Sequence, residues 1–332
     1  MTGPRHIPKP TPRPFNFEGK PRRVGVELEF AALSARDVAS RIHVAFGGRT
    51  EEIDPHCFRI FGTELGTFKA ELDTSYARRS QIAPNPENDP LVASFQAITD
   101  TLREFYGDIS SLIVPCEIVA PPLTIENLGR LDKFITNLTE AGALGTNSSP
   151  FYAFGTHFNP DIATRDPQWI LAILKAELLL SDWLRGIMAI DLSRRIAAFA
   201  APFPRPYMQK ILSPGYWPDT GQLIEDYLRA NPTRDRELDM LPLFAWLDEK
   251  RVRAALPNIK IQQRPTFHFR LPNANLGIPD WSLGLEWNRW CVVERLAEDR
   301  ERLNAMAQAY LENDRRWIPE SWALRASDWL IV

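Results

Sequence analysis

The chain has 332 residues, 44% hydrophobic and 24% charged, a globular composition with enough apolar material for a sizeable core. Its 39 basic and 42 acidic residues leave a formal charge of -3, without the basic excess of a dedicated nucleic-acid binder. Cys57, Cys116 and Cys291 are far apart and form no Cys-x-x-Cys pair, which speaks against a disulfide framework or a cysteine zinc site and points to a reducing cytoplasm.

Residues 1–22 are basic and proline-rich but lack the apolar core of a signal peptide, so they read as a flexible leader. No run of about 18 uncharged apolar residues follows, so no membrane span is expected. No composition break marks a second domain, and residues 23–332 read as a single domain.

The first element, VGVELEF (24–30), is a strand. Alternation turns Val24, Val26, Leu28 and Phe30 to one face and Gly25, Glu27 and Glu29 to the other. The two carboxylates then stand ~7 Å apart and repel by about 2 to 3 kcal/mol at an effective dielectric of about 20. Water on an exposed sheet face is one answer; a bound cation is another.

Ser34 is placed to cap a helix that ends at Gly47 and Gly48. CFRIFGTEL and GTFKAELD follow as a hairpin turning at Gly66. A helix is expected over roughly 88–106, then a short strand, LIVPCEIVA, stopped by Pro121 and Pro122. A helix from Thr124, a strand in SPFYAFGTHFNP and a strongly apolar helix, DPQWILAILKAELLLSDWLRG, come next. The proline-rich text over 202–218 reads as loop and turns, RPTFHFRLPN as a last strand, and 281–313 as one long amphipathic helix. Without regular βαβ alternation, this order favours an α+β fold on a mostly antiparallel sheet.

The same alternation groups Lys69, Glu71 and Asp73 on one face of the second hairpin strand. It isolates Glu117 among apolar neighbours, sets His157 apart from Tyr152, Phe154 and Phe158, and turns His268 and Arg270 away from Phe267 and Phe269. Singly, each polar residue fits a solvated strand or a hydrogen-bonded structural role. Gathered, the carboxylates form an oxygen-rich cluster of the kind hard cations prefer, which would explain why Glu27 and Glu29 tolerate one another. Arg194, Arg195, Arg205 and Lys210 beside the proline-rich loop suit an anionic substrate or phosphate, or simply solvated helix ends. Trp281, Trp287 and Trp290 read as aromatic core.

GVELEF (25–30), ELDTS (71–75), CEIVAPPL (116–123), GTHFNP (155–160) and FHFRLPN (267–273), in that order, resemble the putative amidoligase family of the glutamine synthetase and glutamate-cysteine ligase superfamily. The resemblance implies an antiparallel sheet curved around the active site with helices on its outer face, and ATP bound through Mg²⁺ held by strand glutamates. Carried over by position, Glu27, Glu29 and Glu117 become metal ligands. Glu71 and Asp73 become the second acidic motif. His157 becomes a metal or nucleotide contact and Arg270 the basic residue that meets phosphate. Apart from that carry-over, Arg195 of the basic stretch is a nucleotide-contact candidate.

The departure is His268, where relatives commonly carry glutamate; imidazole still serves an ion such as Mn²⁺. The implied reaction joins a small-molecule or peptide carboxylate to an amine through an acyl phosphate. A metal-dependent hydrolase and a degenerate nucleotide-binding protein remain open alternatives. Neither nucleic acid nor membrane is expected as a partner.

Overall fold

The computed structural model describes residues 6–72, 115–148, 152, 154–190 and 200–330. Six strands form one sheet: β1 (Val24–Phe30), β2 (Arg49–Asp54), β3 (Cys57–Thr63), β4 (Gly66–Leu72), β5 (Cys116–Val119) and β6 (Thr156–Pro160). Their order is β2-β3-β4-β5-β1-β6, and every pairing is antiparallel. The first strand of the chain is therefore held between two strands that arrive much later.

One sheet face is apolar, as the alternation requires: Val24, Val26, Phe30, Phe58, Ile60, Phe68 and Ile118 are all buried. Helix α1 (Ala35–Phe46) packs on it across β3 and β4. Ser34 caps that helix by accepting the Asp37 amide hydrogen, and Phe46 stacks on Phe68 with ring centroids 5.4 Å apart. A fully buried Phe contributes roughly 1.5–3 kcal/mol relative to an exposed one, which gives this face a strong hold on the register. Helix α2 (Leu128–Glu140) touches α1, and Pro121 and Pro122 end β5 as expected.

The remaining described helices are α3 (Pro167–Ile187), α4 (Arg205–Leu212), α5 (Thr220–Ala230), α6 (Leu241–Leu247), α7 (Glu249–Ala255), α8 (Leu283–Glu298), α9 (Arg300–Asp314) and α10 (Trp322–Asp328). Asp166 caps α3, which packs against α8, α9 and α10. Phe267 lies against Trp169 and Trp290, and Phe158 against Trp287, so the tryptophans form core as expected.

Four expectations are corrected. β2 was not foreseen because RTEEID carries no apolar alternation; it is an edge strand with all six residues exposed. The proline-rich stretch contains α4, because Pro206 falls in the first turn, where its missing N–H has no partner to lose. RPTFHFRLPN is not a regular strand: it follows β6 through isolated bridges at Phe158–Phe269, Asp161–Thr266 and Gly155–Asn273, bracketed by Pro265 and Pro272. The long final helix is broken at Asp299, which ends α8 and caps α9 by accepting the Arg302 amide hydrogen at 3.0 Å. The helix expected over 88–106 lies outside the described residues.

The stretch read as a leader runs along α8. The Lys9 carbonyl accepts from Trp287 Nε1 at 2.8 Å, and Arg13 pairs with Glu298 at 2.7 Å. Arg22 and Glu294 form a buried fork at 2.6 and 2.8 Å. None of the described helices is long and apolar enough to cross a membrane.

Candidate functional site

The polar face is assembled by strand register. One row runs Cys57, Glu71, Glu117, Glu29 across β3, β4, β5 and β1. The next runs Arg59, Lys69, Val119, Glu27, His157 and reaches β6. In the third row Gly25 lies opposite Asn159, whose Cβ would stand 3.3 Å from any Cβ at Gly25. The missing side chain thus lets Asn159 lean over β1 toward Glu27. His268 enters from the segment bridged to β6.

Glu27 is held from three sides. One carboxylate oxygen is 3.3 Å from His157 Nδ1; the other accepts from Asn159 Nδ2 at 3.0 Å and from Arg264 Nη2 at 3.5 Å. Burial works to raise its pKa, but the His157 ring and the Arg264 guanidinium beside it outweigh burial and hold the carboxyl well below its usual range. Glu27 is therefore ionised. Glu29, 6% exposed, accepts the Gly155 amide hydrogen at 2.8 Å. The two glutamates thus answer to different partners, which resolves their mutual repulsion without solvent.

His268 is 3% exposed, and burial, followed by Arg264 and His157, pushes its pKa well below the ordinary value despite Glu27. Its ring is neutral. Nδ1 lies 2.8 Å from Asn159 Oδ1, an oxygen that also accepts from Arg264 Nη2 at 2.6 Å. Arg264 Nη2 is also 3.0 Å from this Nδ1. With Asn159 Nδ2 committed to Glu27 and Arg264 Nη2 donating to Asn159 Oδ1 and Glu27, the shorter contact to Asn159 Oδ1 favours the tautomer with the proton on Nδ1 and the lone pair on Nε2.

Two trios could hold an ion: Glu27, His157 and His268, and Glu29, Glu117 and His157, each with ligand atoms within 4.8 Å of one another. Oxygen or nitrogen atoms sharing one ion at ~2.1 Å lie within about 4.2 Å of each other, so small side-chain movements close either set. Carboxylate oxygens and imidazole nitrogens fit Mg²⁺ or Mn²⁺.

The sequence-derived residues divide. Glu27, Glu29, Glu117, His157 and His268 come together. Glu71 occupies the same row but pairs with Lys69 Nζ at 2.5 Å and with the Cys57 thiol. Arg270, two residues beyond His268, is buried, and its guanidinium engages the Arg234 carbonyl and lies 3.7 Å from Asp235. Arg205 and Lys210 pair with Asp314 and Asp226 in the helical layer. Asp73, Arg194 and Arg195 lie outside the described residues. Asn159 and Arg264 went unforeseen. Two-residue spacing from His157 to Asn159, and from Arg264 through Thr266 to His268, was the signal that could have found them.

A family model described as "Putative amidoligase enzyme" matches residues 20–292. The chain belongs to this amidoligase family. The match takes in every strand, Asn159, Arg264 and most of α8, so the whole polar face falls within the amidoligase region. No curated protein and no solved structure matches the chain.

Proposed function

We propose that the protein is an ATP- and Mg²⁺-dependent carboxylate–amine ligase that forms an amide or isopeptide bond through an acyl phosphate. The observation that carries this reading is the register that stacks Glu117, Glu29, Glu27 and His157 on one face, beside His268. Membership of an amidoligase family supports amide-bond formation. On the same reading the domain is glutamine synthetase-like, its sheet curves around the site, and it works in the cytoplasm.

Glu27, Glu29, Glu117, His157 and His268 would hold the divalent ions, Mg²⁺ or Mn²⁺, whose charge would offset that of the phosphates in phosphoryl transfer. Arg264, anchored by Asn159, would bring positive charge toward the transferring phosphoryl group, with Arg270, now held by the Arg234 carbonyl and Asp235, as a second candidate. The substrate carboxylate would attack the terminal phosphorus of ATP with ADP leaving, and the amine would then attack the acyl carbon, expelling inorganic phosphate and giving up a proton. Glu71, opposite Glu117 in the register and paired with Lys69, would take the amine proton; Asp73, the other acid of that motif, lies outside the described residues. No protein nucleophile is needed. Burial pushes the Cys116 and Cys291 thiols up to about 12, consistent with that.

The substrates are a small-molecule or peptide carboxylate and an amine, with neither nucleic acid nor membrane involved. Phosphate release from ATP and Mg²⁺, screened across amino acids, polyamines and peptides, tests the reading. Release that depends on an added acceptor and disappears in Glu27→Gln supports it; equal release by that variant removes Glu27 from the mechanism. A second reading is favoured by the Glu27, His157 and His268 trio, which has the donors of a hydrolytic zinc site. Amide hydrolysis with metal and no nucleotide would select it.

A further inference from the structure

The two trios are not chemically equivalent. Both draw on His157, but a neutral imidazole offers a single lone pair, so His157 serves only one of them. His157 Nδ1 already faces Glu27 at 3.3 Å, and its ring meets that of His268 edge-on with centroids 5.3 Å apart. Two imidazole nitrogens ~2.1 Å from one ion, spread tetrahedrally, put ring centroids about 5.2 Å apart. The observed pair matches that spacing. Moreover, Asn159 Oδ1 lies 2.8 Å from His268 Nδ1, the kind of contact by which a carbonyl-type oxygen fixes the tautomer and orientation of a metal-binding histidine.

Assigning His157 to that trio leaves Glu29 and Glu117 for the second position, two carboxylates with no nitrogen donor. That set suits Mg²⁺, which binds through few carboxylates plus water and phosphate. Two imidazoles and one carboxylate suit a softer first-row ion and disfavour Mg²⁺.

We infer that this face carries two unlike metal positions: Glu27, His157 and His268 select a first-row transition ion such as Mn²⁺, Co²⁺ or Zn²⁺, while Glu29 and Glu117 take Mg²⁺. This rests on the metal-binding part of the proposed function and adds which ion goes where. His268 is the specificity-determining residue. Asn159 is a positioning residue that acts through it.

The test uses the full chain, stripped with chelator, equilibrated with millimolar Mg²⁺ and micromolar Mn²⁺, Co²⁺ and Zn²⁺, desalted, and assayed for metal by mass spectrometry. The expected result is about one retained equivalent of transition ion despite excess Mg²⁺, and visible bands of nitrogen-bound Co²⁺ in the Co²⁺ form. His268→Glu lowers retention about 10-fold or more, and Asn159→Ala, which leaves all three ligands, lowers it on a similar scale. No retained transition ion, or equal retention by a folded His268→Glu chain, overturns the inference. If that variant does not fold, the Co²⁺ spectrum of the wild type and Asn159→Ala decide: absent nitrogen bands, or unchanged retention, overturn it. Phosphate release with Mg²⁺ and ATP is measured in parallel. A retained ion without nucleotide turnover sinks the ligase reading alone, whereas turnover without a retained ion sinks this inference alone.

Discussion

Glu29 on β1 and Glu117 on β5 stand directly opposite each other in the sheet register, two carboxylates on adjacent strands. Like charges in that relation destabilise a sheet by roughly 0.2–1 kcal/mol. The pairing makes sense where a cation lies between them. If the proposed Mg²⁺ position is right, Mg²⁺ raises the melting temperature of the wild type, and Glu117→Gln, melting at or slightly above the wild-type temperature without metal, loses that rise. Scanning calorimetry with and without Mg²⁺ checks this; an undiminished Mg²⁺ effect in the variant would remove Glu117 from the metal set.

Arg264 touches Asn159, Glu27 and His268 at once. Arg264→Met is expected to lower acceptor-dependent phosphate release about 10²-fold, the scale for losing one preorganised charged donor. Arg264→Lys should recover only part of it, because an ammonium cannot reproduce the planar fork. Steady-state kinetics of both variants decide, and full recovery by lysine would reduce the role to bulk charge.

Lys175 is buried with Nζ 3.8 Å from the centroid of Trp217, whose ring also carries Arg300 at 3.6 Å. Burial, followed by Arg300, pushes its pKa from 10.5 down to about 8. A lysine lowered on folding binds fewer protons in the native state than in the unfolded one between those values, so stability rises with pH from about 8 to 10.5. Below pH 8 the full penalty, about 3 kcal/mol, is present. Denaturant unfolding from pH 7 to 10.5 should show wild type gaining on Lys175→Met across that window; parallel curves would contradict the shift.

Arg22 donates to both oxygens of Glu294 and to the Asp161 carbonyl at 2.7 Å, and Trp290 Nε1 donates to the same carboxylate at 2.7 Å. Removing one member strands a buried charge. Arg22→Ala should destabilise the fold by about 3–5 kcal/mol, while replacing both members by leucine should cost far less. Chemical denaturation of the single and double variants separates the two outcomes.

Much of the face was legible before any tertiary structure. Period-two alternation alone puts Glu27 opposite in sense to Val26 and Leu28, Glu117 to Cys116 and Ile118, and His157 to Phe158, because a pleated strand has only two sides. What alternation cannot say is which strands are neighbours. RPTFHFRLPN has flawless alternation yet forms only isolated bridges, since Pro265 and Pro272 remove ladder donors. RTEEID has none and is a strand, because pairing with β3 needs only its backbone. Asp299 broke a helix whose apolar pattern continues past it, a local hydrogen bond overriding periodicity.

The sequence by itself therefore determined the sidedness of most strands, the cap at Ser34, and the chemical character of the site, all of which are local. Only the tertiary structure decided that β1 lies between β5 and β6, that Glu29 faces Glu117, and that Arg264 and Asn159 close around Glu27 and His268. The reason is physical. A strand's own residues specify its two faces, but which strand lies beside it depends on burying the apolar face of the whole sheet at once, a sum no single segment contains.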